Sequence, residues 1–226
     1  MSQQHTINQP ENHLEQAMPS HRRFARSYER ISNSEWEQRY MKPLREKLIT
    51  RANGLVLEVG AGNGLNFATY DPAHVEHVEA IDPNPTMLGY ARERVKTARV
   101  PITLTQATAE ALPFADATFD TIVATLVFCS VTDPLKGLQE IKRVLKPGGK
   151  LLILEHVRSH NRLIVIAQNI ITPFTIRFVG NCHWNRDTAQ TVRAAGFHID
   201  TEQGHRLPIA GSFLMPLILV EATNSP

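Results

Sequence analysis

The stretch Leu55-Val56-Leu57-Glu58-Val59-Gly60-Ala61-Gly62-Asn63-Gly64 decides the fold. A short apolar run ending in glycines reads as a buried strand that turns sharply into a helix. Glycines at such a turn tolerate positive φ and let a ligand come close to the backbone. Glu58 stands near the strand's carboxyl end, the edge where open α/β sheets place their ligands. A dinucleotide fingerprint, G-x-G-x-x-G, would need its third glycine where Leu65 stands. The glycines fall instead at Gly60, Gly62 and Gly64, with an acid two positions upstream of the first.

Working outward, residues 78–82 read as a second strand ending in Asp82. That position suits a carboxylate accepting hydrogen bonds from both hydroxyls of a ribose. Nicotinamide-dinucleotide enzymes and methyltransferases share this device, so it points to a nucleoside without choosing between them. Asn84 and Pro85 form an N-cap and first turn for a helix whose inward face carries Met87, Leu88, Ala91 and Val95. Met87 is a candidate adenine contact, with plain core packing as the alternative. Residues 102–106 and 119–124 read as the third and fourth strands, and 150–156 as the fifth. Between the last two, Thr132-Asp133-Pro134 opens a helix with Leu135, Leu138, Ile141, Val144 and Leu145 on one face.

Four ordered motifs then carry a family resemblance over about residues 54–156. They are E-x-G-x-G-x-G from Glu58, the strand ending in Asp82, A-E-x-L-P-F at residues 109–114 followed by Phe119-Asp120, and R-V-L-K-P-G-G at residues 143–149. Together they resemble the class I S-adenosylmethionine-dependent methyltransferases of the type 11 group. The resemblance implies a Rossmann-like α/β fold: a seven-stranded, mostly parallel sheet with helices on both faces and a C-terminal antiparallel hairpin. That hairpin is expected at residues 197–205 and 213–221, after a helix near residues 186–195 that stops at Gly196. It also implies S-adenosylmethionine as methyl donor, S-adenosylhomocysteine as product, and no metal. The implied cofactor residues are Glu58, Gly60, Ala61, Gly62, Asn66, Asp82, Pro83, Met87, Thr108, Ala109, Glu110, Thr125 and Leu126. Thr108 departs from the family, which carries Asp or Asn there.

Three further segments narrow the resemblance: residues 125–131 (TLVFCSV), 154–157 (LEHV) and 180–188 (GNCHWNRDT). With Asp82-Pro83-Asn84-Pro85 they resemble the thiol S-methyltransferases called methyltransferase-like family seven in animals. Those proteins carry an N-terminal membrane anchor, whereas this chain has a polar arm there, which implies a soluble version. The implied acceptor is a small, partly apolar thiol. The alternatives are a quinone-like ring or a phospholipid amine, or a non-catalytic protein that binds S-adenosylmethionine. A thiol with pKa about 8.5 supplies a few per cent of thiolate at neutral pH, so a strong general base is not obligatory. If a base is used, His156, at the end of strand five, is the first candidate. Cys129 reads as a small buried strand-end residue, because direct transfer from a sulfonium needs no covalent enzyme intermediate.

Composition sets the remaining bounds. The chain has 226 residues, 42% hydrophobic and 20% charged, with a net charge of +2. One soluble domain follows, too balanced in charge to track nucleic acid. Cys129 and Cys182 lie far apart and give neither a disulfide framework nor a metal-ligand spacing. No apolar run is long enough to span a membrane, and a cytoplasmic location is the simplest expectation. Residues 1–20 read as a polar disordered arm, and 21–53 as a helical lid that Pro43 kinks. Within it Trp36, Tyr40, Leu44 and Leu48 share a face, and Tyr28 or Arg45 reaches inward. Residues 54–226 form the methyltransferase domain, with a substrate cap at about 157–185. Gln168, His183 and Trp184 are its candidate acceptor contacts beside Tyr28. Whether residues 163–179 form a pocket cap, a membrane patch or a dimer surface stays open, as does monomer against homodimer.

Overall fold

The computed structural model describes residues 19–208 and 211–225. Seven strands form one sheet in the order β3-β2-β1-β4-β5-β7-β6. They are β1 Gly54–Val59, β2 Val75–Ile81, β3 Ile102–Thr105, β4 Phe119–Thr125, β5 Leu145–His156, β6 His198–His205 and β7 Leu217–Thr223. The pairs from β3 through β5 are parallel, and β7 runs antiparallel to both β5 and β6. This is the mixed seven-stranded sheet that the sequence implies. Strand order reverses between β1 and β4, so their carboxyl ends diverge and open a crevice.

The central strands are buried on both faces, as their continuous apolar runs require. Val56, Leu57, Ile122, Val123, Leu152 and Ile153 are fully buried. On one side α4 (Pro134–Val144) lays Leu138, Ile141 and Val144 onto the sheet. Each such side chain contributes about 1.5–3 kcal/mol by leaving water. Asp133 caps this helix by accepting from the Lys136 N–H, and Asn84 caps α3 (Pro85–Val95) by accepting from Thr86 and Met87. Both helix starts lie where the sequence puts them.

The N-terminal segment begins with α1 (Pro19–Ser32). The expected arm lies outside the described residues up to residue 18. A π-helical turn at Glu37–Met41 then leads into α2 (Lys42–Ile49), with Pro43 in its first turn. Proline has no N–H and so fits a helix start, which is why the kink falls there. Ser34 accepts from the Glu37 N–H, half of a capping box. The Glu37 carboxylate turns instead to a buried ion pair with Arg45.

Two C-terminal details differ from expectation. The last strand starts at Leu217, because Ser212–Leu214 takes a 3-10 turn first. Residues 157–185 contain α5 (Arg162–Phe178), whose amphipathicity is inverted. Its buried residues are Gln168, Thr172 and Thr175, while Leu163 (77% exposed), Ile166, Ile170, Phe174 and Phe178 face outward. No helix among the described residues is long and apolar enough to cross a membrane.

Candidate active site

The glycine turn follows β1 directly. Gly60, Gly62 and Gly64 all have positive φ, but they serve different ends. A Cβ on Gly60 would meet Val127 at 2.6 Å, and one on Gly64 would meet the Phe67 ring at 2.6 Å. These two allow close packing. A Cβ on Gly62 would find nothing nearer than a carbonyl at 4.0 Å. Gly62 therefore borders open space, at the edge where a ligand would lie against the backbone.

Asp82 ends β2 beside that space and is 8% exposed. One of its oxygens accepts from the Gly62 N–H at 2.9 Å and the other from the Asn84 N–H at 2.8 Å. A carboxylate has about four acceptor positions, so each oxygen keeps one for a ribose hydroxyl. Burial raises the Asp82 pKa to about 6, against the lowering effect of the two backbone N–H groups. Beside this carboxylate, Met87 is buried on the first turn of α3 and Pro83 is exposed. Ala61 is buried after the first glycine, and Ala109 is buried in the loop after β3.

Other residues implied at the cofactor make polar contacts within the protein. Glu58 accepts from Asn66 and from the Tyr70 hydroxyl, one on each oxygen, and is 1% exposed. It braces the glycine turn from beneath, and burial raises its pKa to about 7. Asn66 spans Glu58 and the Thr125 hydroxyl, linking the turn to the end of β4. Glu110 accepts from the Thr132 and Asp133 N–H groups, so its carboxylate fixes the entry to α4. Thr108 is half-buried in the same loop. The sequence carries the identity of these acids but not the partners that claim them.

A second group of buried side chains gathers where β4 and β5 end. Leu126 adopts φ +59, a costly conformation for a branched-chain residue. A buried carboxylate holds the turn that follows: Glu155 accepts from the N–H groups of both Val127 and Cys129. Burial, reinforced by the nearby Cys129, raises the Glu155 pKa well above the usual carboxylate range.

Onto this turn docks the loop after α5. The His183 N–H donates to the Cys129 carbonyl, Asn181 donates to the Ser130 carbonyl, and Arg186 donates to the carbonyls of Phe128 and Val131. The three segments of the narrower resemblance thus meet around Cys129. His156, at the end of β5, is half-buried there, and its Nδ1 is buried without a hydrogen-bond partner. Cys182 is brought to the same point. Its spacing from Cys129 suggests no joint role, and the structure corrects that reading: both sulfurs and a ring nitrogen of His156 lie within 4.8 Å of one another.

Among the acceptor-side candidates, Tyr28 and Arg45 reach inward. Tyr28 lies near Arg45, Cys129, Asp82 and Arg94, and burial raises its phenol pKa. His183 and Trp184 are half-buried in the docked loop, and burial with the nearby Arg186 lowers the His183 pKa. Gln168 has a different task from the expected acceptor contact. It is 0% exposed, accepts from the Ser159 N–H and donates to the carbonyls of Val157, Trp184 and Leu214. Its amide ties α5 to three loops and presents nothing to a ligand. A separate cleft of ≈ 550 Å³ between the start of α5 and α6 (Thr188–Ala194) is lined by Arg158, Ser159, Val165, Ile166 and Asp187. None of the cofactor-side residues borders it.

Helix α1 bridges the two sides. Glu29 accepts from Arg94 on α3 and from Asn63 in the glycine turn. One turn earlier, Phe24 packs on Gly180, where a Cβ would meet the ring at 2.7 Å. Sequence patterning shows the helix but not this latch, because its partners come from three distant segments.

The methyltransferase-domain family model matches residues 57–153. The chain is 32% identical over 178 residues to the thiol S-methyltransferase TMT1B of Rattus norvegicus, covering 76% of this chain and 71% of that protein. It is 33% identical over 143 residues to a phosphatidylethanolamine N-methyltransferase of Cereibacter sphaeroides, covering 62% of this chain and 68% of that one. A solved S-adenosylmethionine-dependent methyltransferase from Methanosarcina mazei superposes with a TM-score of 0.62 at 20% identity, over 81% of this chain and 97% of that one. The glycine turn, the buried Asp82 carboxylate beside it and the reversal of strand order agree with these likenesses: the chain belongs to the class I S-adenosylmethionine-dependent methyltransferases, in the group that includes the thiol S-methyltransferases.

Proposed function

We propose that this methyltransferase transfers the methyl group of S-adenosylmethionine to the sulfur of a small, partly apolar thiol. The observation that carries this reading is the meeting of residues 125–131, 154–157 and 180–188 around Cys129. These are the segments in which the chain resembles thiol S-methyltransferases, and the likeness to TMT1B extends over most of the chain.

The donor, when bound, supplies a methyl group already activated by its sulfonium charge. The chain's residues therefore have to align and shield the reactants rather than activate the methyl. Asp82 would accept from the ribose hydroxyls, with Gly62 giving the backbone close approach, and Met87 and Ala109 would border the adenine. Thr125 at the end of β4 and Leu126 just after it would position the acceptor side of the donor. Helix α1, latched at Glu29 and seated on Gly180, covers the cleft and excludes water, with Tyr28 turned toward the reactants. The acceptor proton leaves to solvent, or to His156 if that imidazole serves as base. The expected location of this chemistry is the cytoplasm.

The outward apolar face of α5 favours a second acceptor class, a phospholipid amine or quinone-like ring met at a membrane surface. A panel of thiols, amines and quinols with S-adenosylhomocysteine as readout tests both. Turnover confined to thiols supports the proposal, and turnover confined to lipid amines or quinols replaces it.

A further inference from the structure

The mechanism above leaves Cys129 and Cys182 without a task. Both are buried, at 2% and 6% exposure, and both are free thiols. Their sulfurs and a His156 ring nitrogen lie within 4.8 Å of one another. A tetrahedral zinc ion with bonds of about 2.3 Å to sulfur and about 2.0–2.1 Å to nitrogen sets its donors about 3.5–3.8 Å apart. The cluster is within side-chain adjustment of that geometry.

Each donor is also held by its surroundings. Glu155 accepts from the Cys129 N–H, and the Cys129 carbonyl accepts from the His183 N–H. The Cys182 carbonyl accepts from the Thr175 hydroxyl on the packed, polar face of α5. His156 sits on the last position of β5, paired with Leu217 across the sheet edge. The Cys129 thiol is in hydrogen-bonding contact with both Cys182 and His156, so the three donors face one another, and the His156 Nδ1 is buried with no hydrogen-bond partner.

We propose that Cys129, His156 and Cys182 form a three-donor site for a soft divalent cation of the zinc type, open at its fourth position to the sulfur of the acceptor. Two thiolates and an imidazole are the donor set that such ions select. Three protein donors with one open position is the arrangement of a reactive site, whereas structural sites are closed by four. The cluster stands just past the carboxyl ends of β4 and β5, on the same edge of the parallel strands at which Asp82 follows β2. The metal site stands on geometry alone, and only the identity of its fourth ligand rests on the thiol reading above.

On binding, the acceptor thiol gives its proton to solvent and its sulfur becomes the fourth ligand. The bound sulfur donates an electron pair to the methyl carbon. The new S–CH₃ bond forms as the old sulfonium C–S bond breaks, its electron pair staying on the sulfur of S-adenosylhomocysteine. The thioether product is a neutral and weaker ligand and leaves. The metal changes no oxidation state.

The test is a cobalt(II) titration of the full, reduced chain without oxygen. The expected result is one equivalent bound, with a sulfur-to-cobalt charge-transfer band that zinc abolishes and a small aliphatic thiol shifts. Cys129→Ser and Cys182→Ser are each expected to weaken binding by about a hundredfold or more, while S-adenosylmethionine binding reports that the variants are folded. In wild-type protein, zinc is also expected to shield both cysteines from a thiol reagent, a readout that needs no variant. A reduced protein that takes up no cobalt, or that binds it equally well in both serine variants, overturns the site. Full thiol turnover by metal-free protein overturns the site and leaves the proposed function standing. Stoichiometric metal with a sulfur band but no thiol turnover supports the site and removes the thiol reading.

Discussion

The role proposed for Asp82 makes cofactor affinity depend on pH in a calculable way. Its pKa in the free protein is raised to about 6 by burial. Only the ionised carboxylate accepts from both ribose hydroxyls while still accepting from Gly62 and Asn84. About nine-tenths of the protein is ionised at Asp82 at pH 7 and about one-tenth at pH 5. The dissociation constant for S-adenosylmethionine should therefore rise about tenfold from pH 7 to pH 5 and stay flat above pH 7. Binding at pH 5 should release one proton. Asp82→Asn removes one acceptor and the charge, at about 1.5–3 kcal/mol for each hydrogen bond lost, which predicts binding at least about tenfold weaker. That variant should also lose the dependence between pH 5 and 7. Isothermal titration calorimetry in two buffers of different ionisation heat reads both the constant and the proton. Asp82 itself does not destabilise the fold at pH 5, because its raised pKa favours the folded state at the acid end. Equal affinity at pH 5 and 7 in wild-type protein would refute the role given to Asp82.

Four other outcomes follow from the same geometry. Glu58, raised from 4.5 to about 7, holds a proton that the unfolded chain has released. Its contribution is fully present below pH 4.5 and is lost as pH rises through about 7, a loss on the order of 3 kcal/mol that Glu58→Gln should abolish in urea denaturation at successive pH values. Gly62→Ala should cost about 1–2 kcal/mol of stability for its positive φ yet abolish measurable cofactor binding, because its methyl enters the ligand's space. Gly60→Ala should mainly destabilise, through collision with Val127, which thermal melts distinguish from a binding defect. Gln168→Leu should lower stability by about 3 kcal/mol by stranding the Ser159 N–H and three carbonyls, with S-adenosylmethionine affinity unchanged.

The elements on the side proposed for the cofactor are legible in the chain because their signals are local. The apolar run into Gly60, the acid closing β2, and the Asn84-Pro85 and Asp133-Pro134 caps each lie within a few adjacent residues. The acceptor half depends on contacts across the fold. Cys182 meets Cys129 only because α5 and its following loop fold back, an approach that spacing cannot show. Glu58, Glu110 and Gln168 have the chemistry of ligand-binding groups, but distant donors and carbonyls claim their polar atoms. In α5 the apolar residues suggested a pocket lining, whereas the packed side is polar because Gln168 and the two threonines satisfy buried backbone.

The most direct test of the central claim is methyl transfer itself. Purified protein with S-adenosylmethionine and a small aliphatic thiol is expected to yield equal amounts of S-adenosylhomocysteine and the S-methyl thioether, measured by mass spectrometry. The corresponding alcohol and amine should give neither product. Tight cofactor binding with no transfer to any thiol in the panel would contradict the account.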